Sequence, residues 1–194
     1  MSFTTKFNGL SSAGEIAQTL FSSRVDTATD HINRLQSTKD YSTNEKRQFA
    51  VTGAASTKKG IETEIQGLLN SVNDRQIKLS QDTKTAISCD WDKSTQAIIA
   101  IELAKDGKRA IDSLTDRNLL ASLSSFPEKI TNLSADTIAN ARDSYIEINH
   151  PEIALVKKQV RSDLLLVDKM LEVNDTLASK YQGFSSANVE DLNI

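Results

Sequence analysis

Cys89 is the only cysteine of the chain, and the carboxylates of Asp90 and Asp92 follow it closely. A thiolate nucleophile needs a neighbouring base and a lowered pKa. Negative charge beside the sulfur works the other way, so Cys89 reads as a junction or buried thiol. The histidines, His31 and His150, are far apart, and a metal site wants a second ligand at helical or loop spacing. Asp30-His31 stands alone, and His150 precedes Pro151 as part of a helix start. Glu147 and His150 match one Glu-x-x-His pair. A di-metal bundle needs that pair twice on facing helices, and the second copy is missing.

Carboxylates cluster at Glu62 with Glu64, at Asp90 with Asp92, and at Glu190 with Asp191. Each is a possible acid–base pair by proximity alone. There is no glycine-rich phosphate loop. Gly53, Gly60 and Gly67 instead fall seven residues apart, beside an apolar stripe. One reading is a groove that lets another backbone approach closely, from within the fold or from a neighbouring subunit. The plainer reading is three tolerated glycines, each costing about 1 kcal/mol against alanine. Ala54 and Ala55 extend the small-residue surface. The chain thus offers no catalytic, cofactor-binding or metal-binding constellation, and the expectation is a protein that is not an enzyme.

The elements that would carry these residues are helices. Ile153, Val156, Val160, Val167, Met170, Leu177 and Tyr181 recur in steps of three, four or seven, with Leu164 and Leu171 widening the face. Asn174 interrupts this stripe, where a polar residue can set register or oligomeric state. A similar stripe runs through Ile16, Leu20, Phe21, Val25, Ala28, Ile32 and Leu35, starting at Ser11 or Ser12 with Glu15 placed for a capping box. Val51, Ala54, Ile61, Ile65, Leu68, Val72, Leu79 and Ala86 mark a second long helix from Thr43. Asp90 and Asp92 are good N-caps for a third apolar segment containing Trp91, Ile98, Ile99, Ile101 and Leu103. Asp106-Gly107 signals a turn, after which Ala110, Ile111, Leu114, Leu119 and Leu120 resume a helix that ends around Pro127. Ser134 caps a shorter helix with Ile138, Ala141, Tyr145 and Ile148 on its face. Pro151 opens the last helix at a position where its missing N–H costs little, and Gly183 closes it.

The expected fold is all-α: an elongated bundle or long hairpin of four to six helices with coiled-coil-like packing. Residues 1–10 read as a flexible N-terminal arm, 11–183 as one helical domain, and 184–194 as a tail. Composition agrees, with 5% aromatic residues and only two prolines and seven glycines in 194 residues. Serine and threonine supply about a fifth of the chain and are mediocre helix formers, so packing must hold the helices.

A net charge of -3 gives no field for gripping nucleic acid. The apolar runs at 97–101 and 164–167 fall far short of the ~20 residues a membrane span needs. One cysteine and no secretory leader point to the cytoplasm, or to a particle assembled there. For the same reason, Asn132 and Asn174 read as chance matches to a glycosylation pattern. The function these features favour is a non-enzymatic structural or assembly protein working through helix-mediated subunit contacts. Its partners would be further copies of itself or another protein. Candidate interface positions are Gly53, Gly60, Gly67, Trp91, Val160, Val167 and Asn174. In composition, though in no motif, the chain is similar to helical subunits of phage particles and of bacterial secretion filaments. An intracellular adaptor, chaperone or inhibitor is the alternative, and a carboxylate-based enzyme or metal-binding bundle the second alternative.

Overall fold

The computed structural model describes residues 3, 5–39, 41–106 and 113–186. Among them are seven α-helices and no strand, so the fold is all-α with long packed helices. The helix count exceeds the expected four to six because two short helices interrupt the second half of the chain. The helices are α1 (Ser12–Ser37), α2 (Thr43–Ala86), α3 (Lys93–Ala104), α4 (Arg117–Ser124), α5 (Glu128–Thr131), α6 (Ala135–Asn149) and α7 (Pro151–Ser186), with a 3-10 turn at Ser113–Thr115 before α4. Gly107, Ala110, Ile111, Glu190 and Asp191 lie outside the described residues.

The chain gathers into two compact units: residues up to Asp74 together with those from Gln159 onward, and the intervening Arg75–Lys158. Helices α2 and α7 each supply residues to both.

In the first unit, α1 buries Phe21, Val25, Ala28, Ile32 and Leu35, and α2 buries Ile61, Ile65, Leu68 and Val72. Both series advance by alternating steps of three and four, the spacing that keeps one seam facing a partner helix. On α7 the buried series is Val160, Asp163, Leu166, Val167, Met170, Val173, Leu177 and Tyr181. Three described residues of the expected N-terminal arm make specific contacts. The Phe3 ring meets Phe21 edge-on with centroids 4.9 Å apart, Leu10 is buried, and the Thr5 carbonyl accepts a hydrogen from Gln18 at 2.7 Å.

The expected stripes need local correction. Ile16 and Leu20 face water while Ala17 is buried, and Val51 faces water while Ala50 is buried. Leu171 is exposed as well. At these two places in the first unit alanine takes the buried position, and the larger neighbour one residue away is turned outward. Gly183 does not end α7, which continues to Ser186. A glycine inside a helix costs about 1 kcal/mol but does not stop it unless the chain turns left-handed there.

The second unit is built from shorter pieces around Ile87, Ala100, Leu103, Leu114, Leu120, Leu123, Leu133, Ile138, Ile146 and Ile153. Helix α3 packs on α4 and α5, and α4 also packs on the 3-10 turn and α6. Its connections are capped by side chains. Asp92 accepts the amide hydrogens of Ser94 and Thr95, Asp116 accepts that of Leu119, and Ser134 accepts that of Thr137. Asn132 closes α5 in the left-handed region (φ 56°), which asparagine tolerates, and donates its side-chain amide to the Ala104 carbonyl at 3.1 Å. Trp91, expected within the third apolar segment, sits just ahead of α3.

Serine and threonine are accommodated inside the helices by bonding back one turn. Thr19, Ser22, Thr27, Thr52, Thr63, Thr85, Ser122 and Thr176 each donate their hydroxyl to the carbonyl four residues earlier, at 2.8–3.0 Å.

The Asp92 carboxyl is held below the usual aspartate range, chiefly by the Thr95 hydroxyl it accepts and then by the Thr95 amide. A depressed native pKa means the cap is complete above the unfolded value and is lost as pH falls through the native one. The Ser94 and Thr95 amide proton shifts should therefore titrate together in NMR spectra, with a midpoint more acidic than free aspartate. A midpoint at or above the free value would contradict the cap.

Candidate functional site

Among the described residues of the first unit, one charged side chain has no exposure at all, Asp163 of α7 (0%). Its two oxygens receive the first turn of α1. Oδ1 accepts the Ser11 amide hydrogen at 3.1 Å, and Oδ2 accepts the Ser11 hydroxyl hydrogen at 2.5 Å. The Ser11 Oγ in turn accepts the Gly14 amide hydrogen at 3.1 Å. The expected box between Ser12 and Glu15 is therefore absent, since the cap lies one residue earlier and its carboxylate comes from a different helix. Gly14 is required by this arrangement, because a Cβ there would overlap the Asp163 carboxylate. The local form of the same device appears at α2, where Ser42 and Glu45 bond reciprocally at 2.7–3.3 Å.

The three glycines of α2 have different surroundings. At Gly53, the missing side chain leaves room for the His31 imidazole, with Tyr181 close beside it. His31 Nδ1 and the Tyr181 hydroxyl are 3.2 Å apart, and that hydroxyl donates to the Ala28 carbonyl at 3.4 Å. At Gly60, the space is taken by the Arg24 guanidinium, which forks onto Glu64 Oε1 at 2.8 and 3.1 Å. Gly67 has open space above it. Two of the three thus admit side chains of α1 rather than another backbone, and the third is simply open. Val160 and Val167 are buried within the first unit, and Asn174 is half-buried between Met170 and Leu177.

The remaining chemistry-bearing residues are engaged in the second unit or along the helices. The Cys89 sulfur lies 3.7 Å from the Asn118 carbonyl oxygen and 3.8 Å from Ser122 Oγ. Asp90 pairs with Arg117 and donates its amide hydrogen to Asn118, while Asp92 caps α3. These two carboxylates serve different partners. Glu62 pairs with Lys58 at 3.8 Å. Glu147 pairs with Lys158 at 2.6 Å, which holds its carboxyl below the usual range, while His150 Nδ1 faces Glu152 at 3.6 Å. Among the described residues, no three His, Cys, Asp or Glu side chains gather where a metal ion could sit. No helix among them is long and apolar enough to cross a membrane.

Sequence reasoning missed Asp163. The available signal was its register: 163 falls on the α7 stripe between Val160 and Val167, where a charge needs a buried partner.

Substituting the glycines separates their roles. Gly67→Ala should stabilise the protein by about 0.5–1 kcal/mol. Gly60→Ala should be nearly neutral because the tip of Arg24 can swing away. Gly53→Ala should destabilise by roughly 1–3 kcal/mol through overpacking against His31 and Tyr181. Urea denaturation gives the order, and equal effects at all three positions would contradict these surroundings. Ser11→Ala should cost about 2–4 kcal/mol, combining a lost cap with a lost donor to a buried carboxylate. A loss under about 0.5 kcal/mol, the range of ordinary surface changes, would contradict the pairing.

Comparison with known protein families, with characterised proteins and with solved structures finds no match to this chain.

Proposed function

We propose that this is a non-enzymatic assembly protein that associates with further copies of itself through helix faces left outside its cores. The observation that carries the reading is on α3. Ile98 and Ile101, one turn apart, are 63% and 49% exposed although both belong to the apolar pattern of their helix. Ile16 and Leu20 on α1 repeat the arrangement at a spacing of four, with Leu165 and Leu171 exposed on α7. Single exposed aliphatics are ordinary on protein surfaces, but pairs at helical spacing form the narrow stripe that a second helix covers. A second copy is the simplest occupant, since a symmetric dimer needs only one self-complementary patch.

The absence of catalysis in this reading rests on what the reactive groups are doing. His31 packs against Tyr181, Asp163 holds Ser11, and Asp92 caps a helix. Each is committed to structure.

Light scattering coupled to size exclusion tests the proposal. The wild-type chain should be oligomeric at tens of micromolar, a concentration at which interfaces of micromolar affinity are filled. Ile98→Lys with Ile101→Lys, or Ile16→Lys with Leu20→Lys, should shift it toward monomer with unchanged helical circular dichroism. A wild-type chain that is strictly monomeric under these conditions overturns the reading.

A further inference from the structure

The second unit holds a cleft of 690 Å³ whose lining carries a one-signed charge. Lys84 from α2, Lys93 from α3 and Arg142 from α6 all line it, and no aspartate or glutamate does. None of the three cations forms an ion pair with any described residue, whereas Lys157, Lys158 and Lys169 are all paired. Asp143, next to Arg142 in sequence, lines an adjoining cleft that shares Lys84 and Arg142, and is engaged there by Lys157 at 2.5 Å. In a chain of net charge -3, three unneutralised cations around one concavity form a local positive well.

Two further observations show that the cleft suits a ligand. Ser124 lines it, and its buried Oγ has no hydrogen-bond partner among the described residues. A buried hydroxyl without a partner is unfavourable, a deficit that an acceptor bound in the cleft would remove. Lys93 is the first residue of α3, directly after its Asp92 cap, and that first turn has no acidic residue. A cation there opposes the helix dipole, so helix stability gives no reason for lysine at this position. An anion in the cleft does.

The rest of the lining is mixed, with Ser88, Gln96 and Ser125 beside Ile87, Cys89, Ala121 and Phe126. Ile87 and Ala121 belong to the core beneath, and Phe126 offers an aromatic ring at the wall. The volume falls within the range of small-molecule sites, about 300–1,000 Å³.

We infer that this cleft binds an organic phosphate of mononucleotide size. The phosphoryl oxygens are held by Lys84, Lys93, Arg142 and the Ser124 hydroxyl, and the flat apolar body lies against Phe126. Charge-assisted hydrogen bonds of this kind are the strong ones, and a phosphoryl group carries enough negative charge to occupy several cations at once. Neither Ile98 nor Ile101 is among the residues that line the cleft.

Isothermal titration of the full-length chain with ADP and with UDP tests the inference, with pyrophosphate and adenosine as partial probes. At least one nucleotide should bind saturably at one site per chain, and pyrophosphate and adenosine should bind at least about tenfold more weakly. Arg142→Ala should weaken nucleotide binding by about tenfold or more. Lys93→Ala, on an exposed position that cannot disturb the core, should do the same. Lys58→Ala, an exposed position in the first unit, should leave it unchanged. Failure of both nucleotides to bind saturably at millimolar concentration overturns the inference. So does binding that survives Lys93→Ala intact, or pyrophosphate binding as tightly as either nucleotide.

Discussion

A helix made from serine, threonine and scattered charges holds together only if one of its faces is withdrawn from water. That constraint governs this chain at every level. Its long helices lack the alanine- and leucine-rich composition that would sustain them alone, so each depends on a seam of side chains repeating every three or four residues. The hydroxyls, left inside helices by this composition, fold back onto carbonyls one turn earlier and so do not compete with the backbone from outside. Where a seam meets a helix end, the exposed amides are satisfied by a side chain. At α1 that side chain is Asp163 from α7, and the requirement extends to Gly14, which must be bare to admit it.

Much of this was legible in the sequence, for identifiable reasons. Period and caps are local signals, and the strong ones were met. Ser134 caps α6, Pro151 opens α7, Asp92 caps α3, and Val25, Ile32, Ile61, Val72, Met170 and Leu177 are buried as their spacing implies. Failures came where hydropathy and fit disagree. Ala17 and Ala50 are buried, and the larger Ile16 and Val51 beside them are turned outward. Asp163 was passed over because a charge contributes nothing to an apolar stripe, although its register placed it within one. Gly183 signalled an end that α7 does not make.

The reactive residues illustrate the difference between proximity in sequence and company in space. Asp90 and Asp92 are two residues apart, yet one holds Arg117 and the other a helix terminus. The cations Lys84, Lys93 and Arg142 are spread over nearly 60 residues of chain and share one cleft. No motif connects them, and only the packing of α2, α3, α4 and α6 brings them together. Spacing rules detect what one helix presents, and they are blind to what four elements assemble.

The placement of Trp91 has an optical consequence. It is the sole indole of the chain and belongs wholly to the second unit, half-buried at the entry to α3, where its carbonyl accepts the Gln96 amide hydrogen at 2.7 Å. Fluorescence excited at long ultraviolet wavelengths therefore reports on one half of the molecule, while ellipticity averages over both. Comparing the two signals during a melt measures directly whether the halves lose their order as one cooperative body or separately, without any added label.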